Sequence, residues 1–169
     1  QKFFYAPRYR RTFKALTMVG SRDWGDKRFD FAPCASCASP EFDKPHNETH
    51  DVVAYLHHWR APRMGIEVPD GIPVMDNRGD DFAAAIRFIG SGRTVISNSY
   101  HGVYWGLLLG KKVLCLPFSN KFQNFRIAPG YATAKTWQSR IGAAQGSDEM
   151  LDLCRIATAD FEAKVRARL

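Results

Sequence analysis

Residues 94–121, TVISNSYHGVYWGLLLGKKVLCLPFSNK, decide how this chain folds. Thr94-Val95-Ile96-Ser97 is β-branched and apolar, the pattern of a buried strand. Asn98 and Ser99 follow, and either side chain can accept a bond from the free N–H groups of a first helical turn. Tyr100 to Leu109 is apolar on nearly every face, which predicts a helix buried all round rather than an amphipathic one. Gly110 ends that helix, and Lys111-Lys112 suit the negative end of its dipole. Val113 to Leu116 is a second short apolar run, stopped by Pro117. Strand, helix and strand with almost no linker read as a right-handed parallel βαβ unit. Its polar residues fall at the first strand's carboxyl end, where open α/β sheets bind ligands.

His101 therefore stands in a first helical turn, beside free backbone N–H groups and a positive dipole end. Gly102 has no side chain, so a ligand could approach the backbone closely there. The pair reads as an anion site carrying a titratable group. A histidine hydrogen-bonded inside a packed helix start is the competing reading, and the residues alone leave both open.

Upstream, Asp51 to His58 reads as a strand with His57 and His58 at its carboxyl end. Neighbouring strand residues face opposite ways, so only one of the two can face a given cleft. A second short strand is expected near Ile72 to Met75, ending in Asp76-Asn77. Asp80-Asp81 opens a helix in which Phe82, Ala85, Ile86 and Ile89 share a face, closed by Gly90 and Gly92. The order β-β-α-β-α-β is a parallel-sheet pattern. Ala15 to Gly20 reads as a further strand, followed by Arg22, which could reach an anionic substrate or make a loop contact with Asp23. Downstream, Ser119 to Phe122 reads as a loop. Lys121, just past a strand's carboxyl end, could there neutralise a carboxylate or phosphate. Helices are expected over Trp137 to Ala144 and Asp148 to Leu169, the second with an apolar stripe of Met150, Leu151, Leu153, Ile156, Ala157 and Phe161.

The stretch Ala32 to Pro45, APCASCASPEFDKP, is the most unusual by composition. Cys34 and Cys37 have the spacing of a redox pair, but Pro40 blocks an immediate helix. With His46 and His50 they make a Cys₂His₂ set. The gap between Cys37 and His46 is shorter than in a zinc finger, and the apolar residues of a finger helix are lacking. No metal is expected. Gln1 to Lys14 interleaves basic and aromatic residues, as single-stranded nucleic-acid binders do. No RNP-like pattern or glycine loop accompanies it, so no nucleic-acid partner is expected.

The block Ser97 to Phe122, SNSYHGVYWGLLLGKKVLCLPFSNKF, resembles the signature of the polysaccharide pyruvyl transferase family. The shared features are a polar pair, an apolar residue, His-Gly, a buried helix, a strand and a lysine. The resemblance implies transfer of a pyruvyl group from phosphoenolpyruvate onto a saccharide as a ketal, in exopolysaccharide or cell-surface glycan synthesis. It needs no cofactor beyond phosphoenolpyruvate as donor substrate. It implies a fold similar to two-domain GT-B glycosyltransferases, with the Pro-Cys-x-Ser-Cys pattern lying between the domains in one branch. Many members carry Arg where Ser99 stands here, so one bidentate cation is missing from the expected anion site. On this reading His101 is the catalytic acid or base, and Asn98, Ser99, Gly102, Lys121, Arg22 and His57 bind substrate. A nucleotide-sugar-dependent GT-B glycosyltransferase is the alternative, and a zinc or nucleic-acid binding module a second.

The expected fold class is α/β, a Rossmann-like parallel sheet flanked by helices, resembling the C-terminal half of a GT-B fold. Residues 1–45 read as the end of an upstream domain and a connecting segment. Residues 46–130 read as the α/β domain and 131–169 as helices packing on it. The apolar share is 45%, enough for a proper core. The start at Gln1 points to processing or to the C-terminal part of a longer protein. A balance of 24 Lys and Arg against 17 Asp and Glu, net +7, suggests anionic small molecules, an anionic membrane face or nucleic acid. The partners expected are an anionic donor and a saccharide or lipid-linked saccharide, with room for peripheral membrane association and a homo-oligomer. Four cysteines in a mixed α/β chain make no disulfide scaffold, and a reducing cytoplasm is expected.

Overall fold

The computed structural model describes residues 16–168. It is α/β. Five parallel strands form the main sheet: β3 (His50–Leu56), β4 (Val74–Asp76), β5 (Gly92–Ser97), β6 (Lys112–Cys115) and β7 (Gly130–Tyr131). A separate parallel pair joins β1 (Gly20–Ser21) to β2 (Asp30–Phe31). Among the described residues, four α-helices accompany them: α1 (Arg60–Arg63), α2 (Phe82–Gly90), α3 (Tyr100–Leu108) and α4 (Met150–Arg166). The 15 residues that include the basic, aromatic Gln1 to Lys14 lie outside the described part.

The sheet order is β4-β3-β5-β6-β7. From β3 the chain moves to one side, and from β5 it moves to the other. The crevice where the order reverses therefore lies between the carboxyl ends of β3 and β5. Both faces of the sheet are covered, which is why its strands read as continuous apolar runs. Val53, Tyr55, Val95, Val113 and Cys115 face α2, α3 and α4. Ala54, Leu56, Ile96 and Leu114 face the other layer, built on Ala61 and the buried Trp137.

α2 begins as expected: Asp81 is its N-cap and accepts the Ala84 N–H at 2.8 Å. α3 is buried except at His101, while Trp105 is half-buried. Gly110, with φ 67°, takes the left-handed turn beyond the helix end. Lys111 does not stay at the dipole end; its Nζ pairs with Glu48 at 2.8 Å.

Several sequence expectations are corrected. Of the strand expected over Ala15 to Gly20, Gly20 alone among the described residues lies in a strand, and Ala15 is outside them. A Cβ on Gly20 would fall within 2.9 Å of Phe161, so α4 packs directly on that backbone. The Trp137 to Ala144 helix is a 3₁₀ helix over Gln138–Ala143. Ile156 is 60% exposed and leaves the apolar stripe of α4, where the buried Cys154 takes an inward place. Ser119 to Phe122 is not a plain loop, because Asn120–Phe122 forms a 3₁₀ turn with Phe122 fully buried.

Residues 34–43 are fastened to the sheet-covering helices. Arg155 donates from Nε to the Cys37 carbonyl at 2.9 Å and pairs with the Asp43 carboxylate at 2.7 Å. Among the described residues, no helix is long and apolar enough to cross a membrane. All four cysteines are free thiols.

Candidate functional site

The crevice between β3 and β5 is tied across its floor. The His57 N–H donates to Asn98 Oδ1 at 2.7 Å. Asn98 is fully buried, and its Nδ2 approaches Met64 Sδ at 3.5 Å. Its side chain is thus committed to the fold. Ser99 occupies the N-cap position of α3 but makes no cap bond; its own N–H is taken by Ser97 Oγ at 3.0 Å. Gly102 turns its missing side chain toward the sheet. A Cβ there would fall on Ser97 Oγ and lie 2.5 Å from Tyr55 Cδ1. This corrects the expectation of a ligand over that atom: the glycine lets helix and strand close up. Backbone N–H groups at the start of α3 remain the groups that can meet an anion.

His57 and His58 lie just past the end of β3, so strand alternation does not separate them. Their rings stack at 5.5 Å with 24° between planes. Asn77 fixes His58, its Oδ1 accepting the His58 N–H at 3.0 Å. Burial lowers the His57 pKa, helped by His58, Lys121 and Arg60. That shift favours the neutral imidazole.

Tyr100 and Phe118 organise the cations. The Arg22 guanidinium lies over the Tyr100 ring at 4.0 Å. Lys121 Nζ is 6.0 Å from the same ring and 4.8 Å from Phe118. Arg60 stands 5.0 Å from Phe118. Burial lowers the Lys121 pKa, and Arg22 and Arg60 add to that shift. Such an effect from two neighbouring guanidiniums means that the three charges act on one another. None of the three forms an ion pair with a carboxylate among the described residues. Asp23 acts on Tyr100 from nearby, but like charges held together with no carboxylate in ion-pair reach favour an anionic ligand.

His101 borders this cluster, its ring 5.9 Å from Tyr100. It is exposed and stacks on Trp105 at 5.1 Å. Its Nε2 lies 3.7 Å from Cys34 Sγ. The Cys34 thiol is pulled down to about 6, chiefly by His101 and then by Ser36, against the opposing effect of burial. The Cys₂His₂ set is dispersed instead. Cys37 Sγ meets Thr158 Oγ1 at 3.4 Å, and His46 Nε2 meets the Glu41 carbonyl at 3.3 Å. Among the described residues, no three His, Cys, Asp or Glu side chains are placed to share a metal ion.

The structure thus gathers His101, Arg22, Lys121 and His57 about one crevice and places the side chains of Asn98 and Ser99 beneath it. Sequence reading missed Arg60, Tyr100 and the Cys34–His101 contact. Arg60 had a usable signal, since it follows the strand-ending His57-His58. Comparison with family models, curated proteins and solved structures gives no match.

Proposed function

We propose that the protein is a pyruvyl transferase-like enzyme that moves a pyruvyl group from phosphoenolpyruvate to a saccharide as a ketal. The observation that carries this reading is the set of cations without an ion-pair partner among the described residues, Arg22, Lys121 and Arg60, bordering an exposed His101 at the reversal point of a parallel sheet. They supply the charge that Ser99 does not. A donor with one carboxylate and one phosphate offers those cations two anionic groups.

In the reaction, the methylene carbon takes a proton and becomes a methyl group. Two acceptor oxygens bond to the adjacent carbon as their protons leave, and phosphate departs. His101 accepts a hydroxyl proton, the task of a general base in reach of the cleft. Backbone N–H groups of α3 and the three cations hold the donor's charge as it changes. Neutral His57 can hydrogen-bond a sugar hydroxyl. Trp59, 60% exposed beside His58, offers an apolar face to a saccharide ring. We place this chemistry in the cytoplasm, on a saccharide or lipid-linked saccharide for exopolysaccharide or cell-surface glycan synthesis. The GT-B-like architecture belongs to the same proposal.

The test is phosphate release from phosphoenolpyruvate in the presence of a saccharide panel, using the full-length protein. His101→Asn should cut turnover by roughly a hundredfold or more, as expected for losing a general acid or base. Circular dichroism should stay unchanged. Turnover with nucleotide sugars and none with phosphoenolpyruvate would instead favour a glycosyltransferase.

A further inference from the structure

One group at the edge of the crevice has no part in that chemistry, the thiol of Cys34. Its Sγ lies between His101 Nε2 at 3.7 Å and Ser36 Oγ at 3.3 Å. Both neighbours are fixed from behind by α3. The Tyr104 hydroxyl donates to the Cys34 carbonyl at 3.1 Å, and the Trp105 indole N–H donates to Ser36 Oγ at 3.1 Å. Trp105 also carries the His101 ring by stacking. Two consecutive helix residues, each with a separate bond, therefore set the sulfur against the imidazole.

That placement singles Cys34 out. Cys37, Cys115 and Cys154 are fully buried, whereas Cys34 is half-buried at the surface. Burial pushes the Cys115 thiol up to about 12 and Cys154 up to about 11, while Cys34 is held down to about 6. A thiolate is the reacting form of cysteine, and an adjacent imidazole with a hydroxyl donor favours it.

We propose that Cys34 and His101 form a nucleophilic pair that captures small electrophilic carbon compounds on Sγ. In the capture the sulfur electron pair makes an S–C bond, and the leaving group departs with its bonding electrons. The thiol proton passes by way of His101 Nε2 to solvent. The group carried on sulfur then sits against the His101 ring, so capture blocks the exposed imidazole of the crevice. The pair does not depend on the identity of the donor.

The experiment is alkylation of the full chain by iodoacetamide, with iodide as the leaving group, followed by peptide mass spectrometry across pH. Cys34 should label before the other three cysteines, with a midpoint near the value of about 6. His101→Asn should raise that midpoint toward the ordinary thiol range and slow labelling at about pH 5.5 by roughly tenfold or more. Near neutral pH the change is smaller, because a more basic thiolate is also more nucleophilic. Labelling of Cys37, Cys115 and Cys154 in the variant would report unfolding, and the unsubstituted profile then decides alone. A Cys34 midpoint in the ordinary range of roughly 8–9 would overturn the proposal. So would a low midpoint unmoved by His101→Asn in a folded variant.

Discussion

Asn98 Oδ1 accepts the His57 N–H at 2.7 Å, joining the carboxyl ends of two adjacent parallel strands across the point where the sheet order reverses. The asparagine is fully buried, so this bond holds the crevice in shape from below.

Asn98→Ala leaves the His57 N–H without its partner. We expect a loss of about 1–3 kcal/mol in unfolding free energy, the cost of stranding a buried donor. Denaturant titration measures it. An unchanged midpoint and slope would mean that the strand ends are held by something other than this bond.

Gly102→Ala probes whether the glycine serves packing. The added methyl meets Ser97 Oγ and the Tyr55 ring, both fully or nearly buried, so neither can swing aside. Overpacking of this kind costs about 1–3 kcal/mol. Thermal melting should register the drop without any ligand present. A variant as stable as the parent, but unable to bind anions, would return Gly102 to a ligand-facing role.

The sheet was readable because parallel strands covered on both faces are built on short apolar runs, and Val95-Ile96 and Val113 to Leu116 are such runs. The Asp81 cap and the Gly110 turn were readable because their causes are local. β7 was not, since Gly130-Tyr131 carries no pattern of its own and pairs only because Leu114 and Cys115 lie beside it. His101, Lys121, Arg22 and His57 could be picked out as polar residues at strand ends. Their relation could not, because it runs through the rings of Tyr100 and Phe118. The Cys34–His101 contact joins residues 67 positions apart. The Pro-Cys-x-Ser-Cys spacing suggested metal or redox chemistry instead, because neither Trp105 nor Tyr104 announces that it will hold that segment.

The acidic thiol also predicts how stability varies with pH. Folding lowers the Cys34 pKa from its ordinary 9.0 to about 6. The stabilisation is therefore fully present above pH 9.0 and is lost as pH falls to about 6. Compared with Cys34→Ser, the parent should hold a stability advantage that declines as pH is lowered through this window. Paired denaturant titrations at several pH values give the difference curve. A difference that does not vary with pH would mean that the thiol titrates alike in folded and unfolded chains.

The most direct measurement is calorimetric titration of the protein with phosphoenolpyruvate, in parallel with Lys121→Ala. Lys121 is half-buried over Phe118 and Phe122, and its charge is opposed by Arg22 and Arg60, so a bound anion relieves all three. Binding should be saturable and should weaken as salt is raised. Lys121→Ala should lose roughly tenfold or more in affinity, the range for removing one hydrogen-bonded partner of a charge. Circular dichroism should show the variant folded. No binding by the parent, or equal binding by the folded variant, would contradict the account.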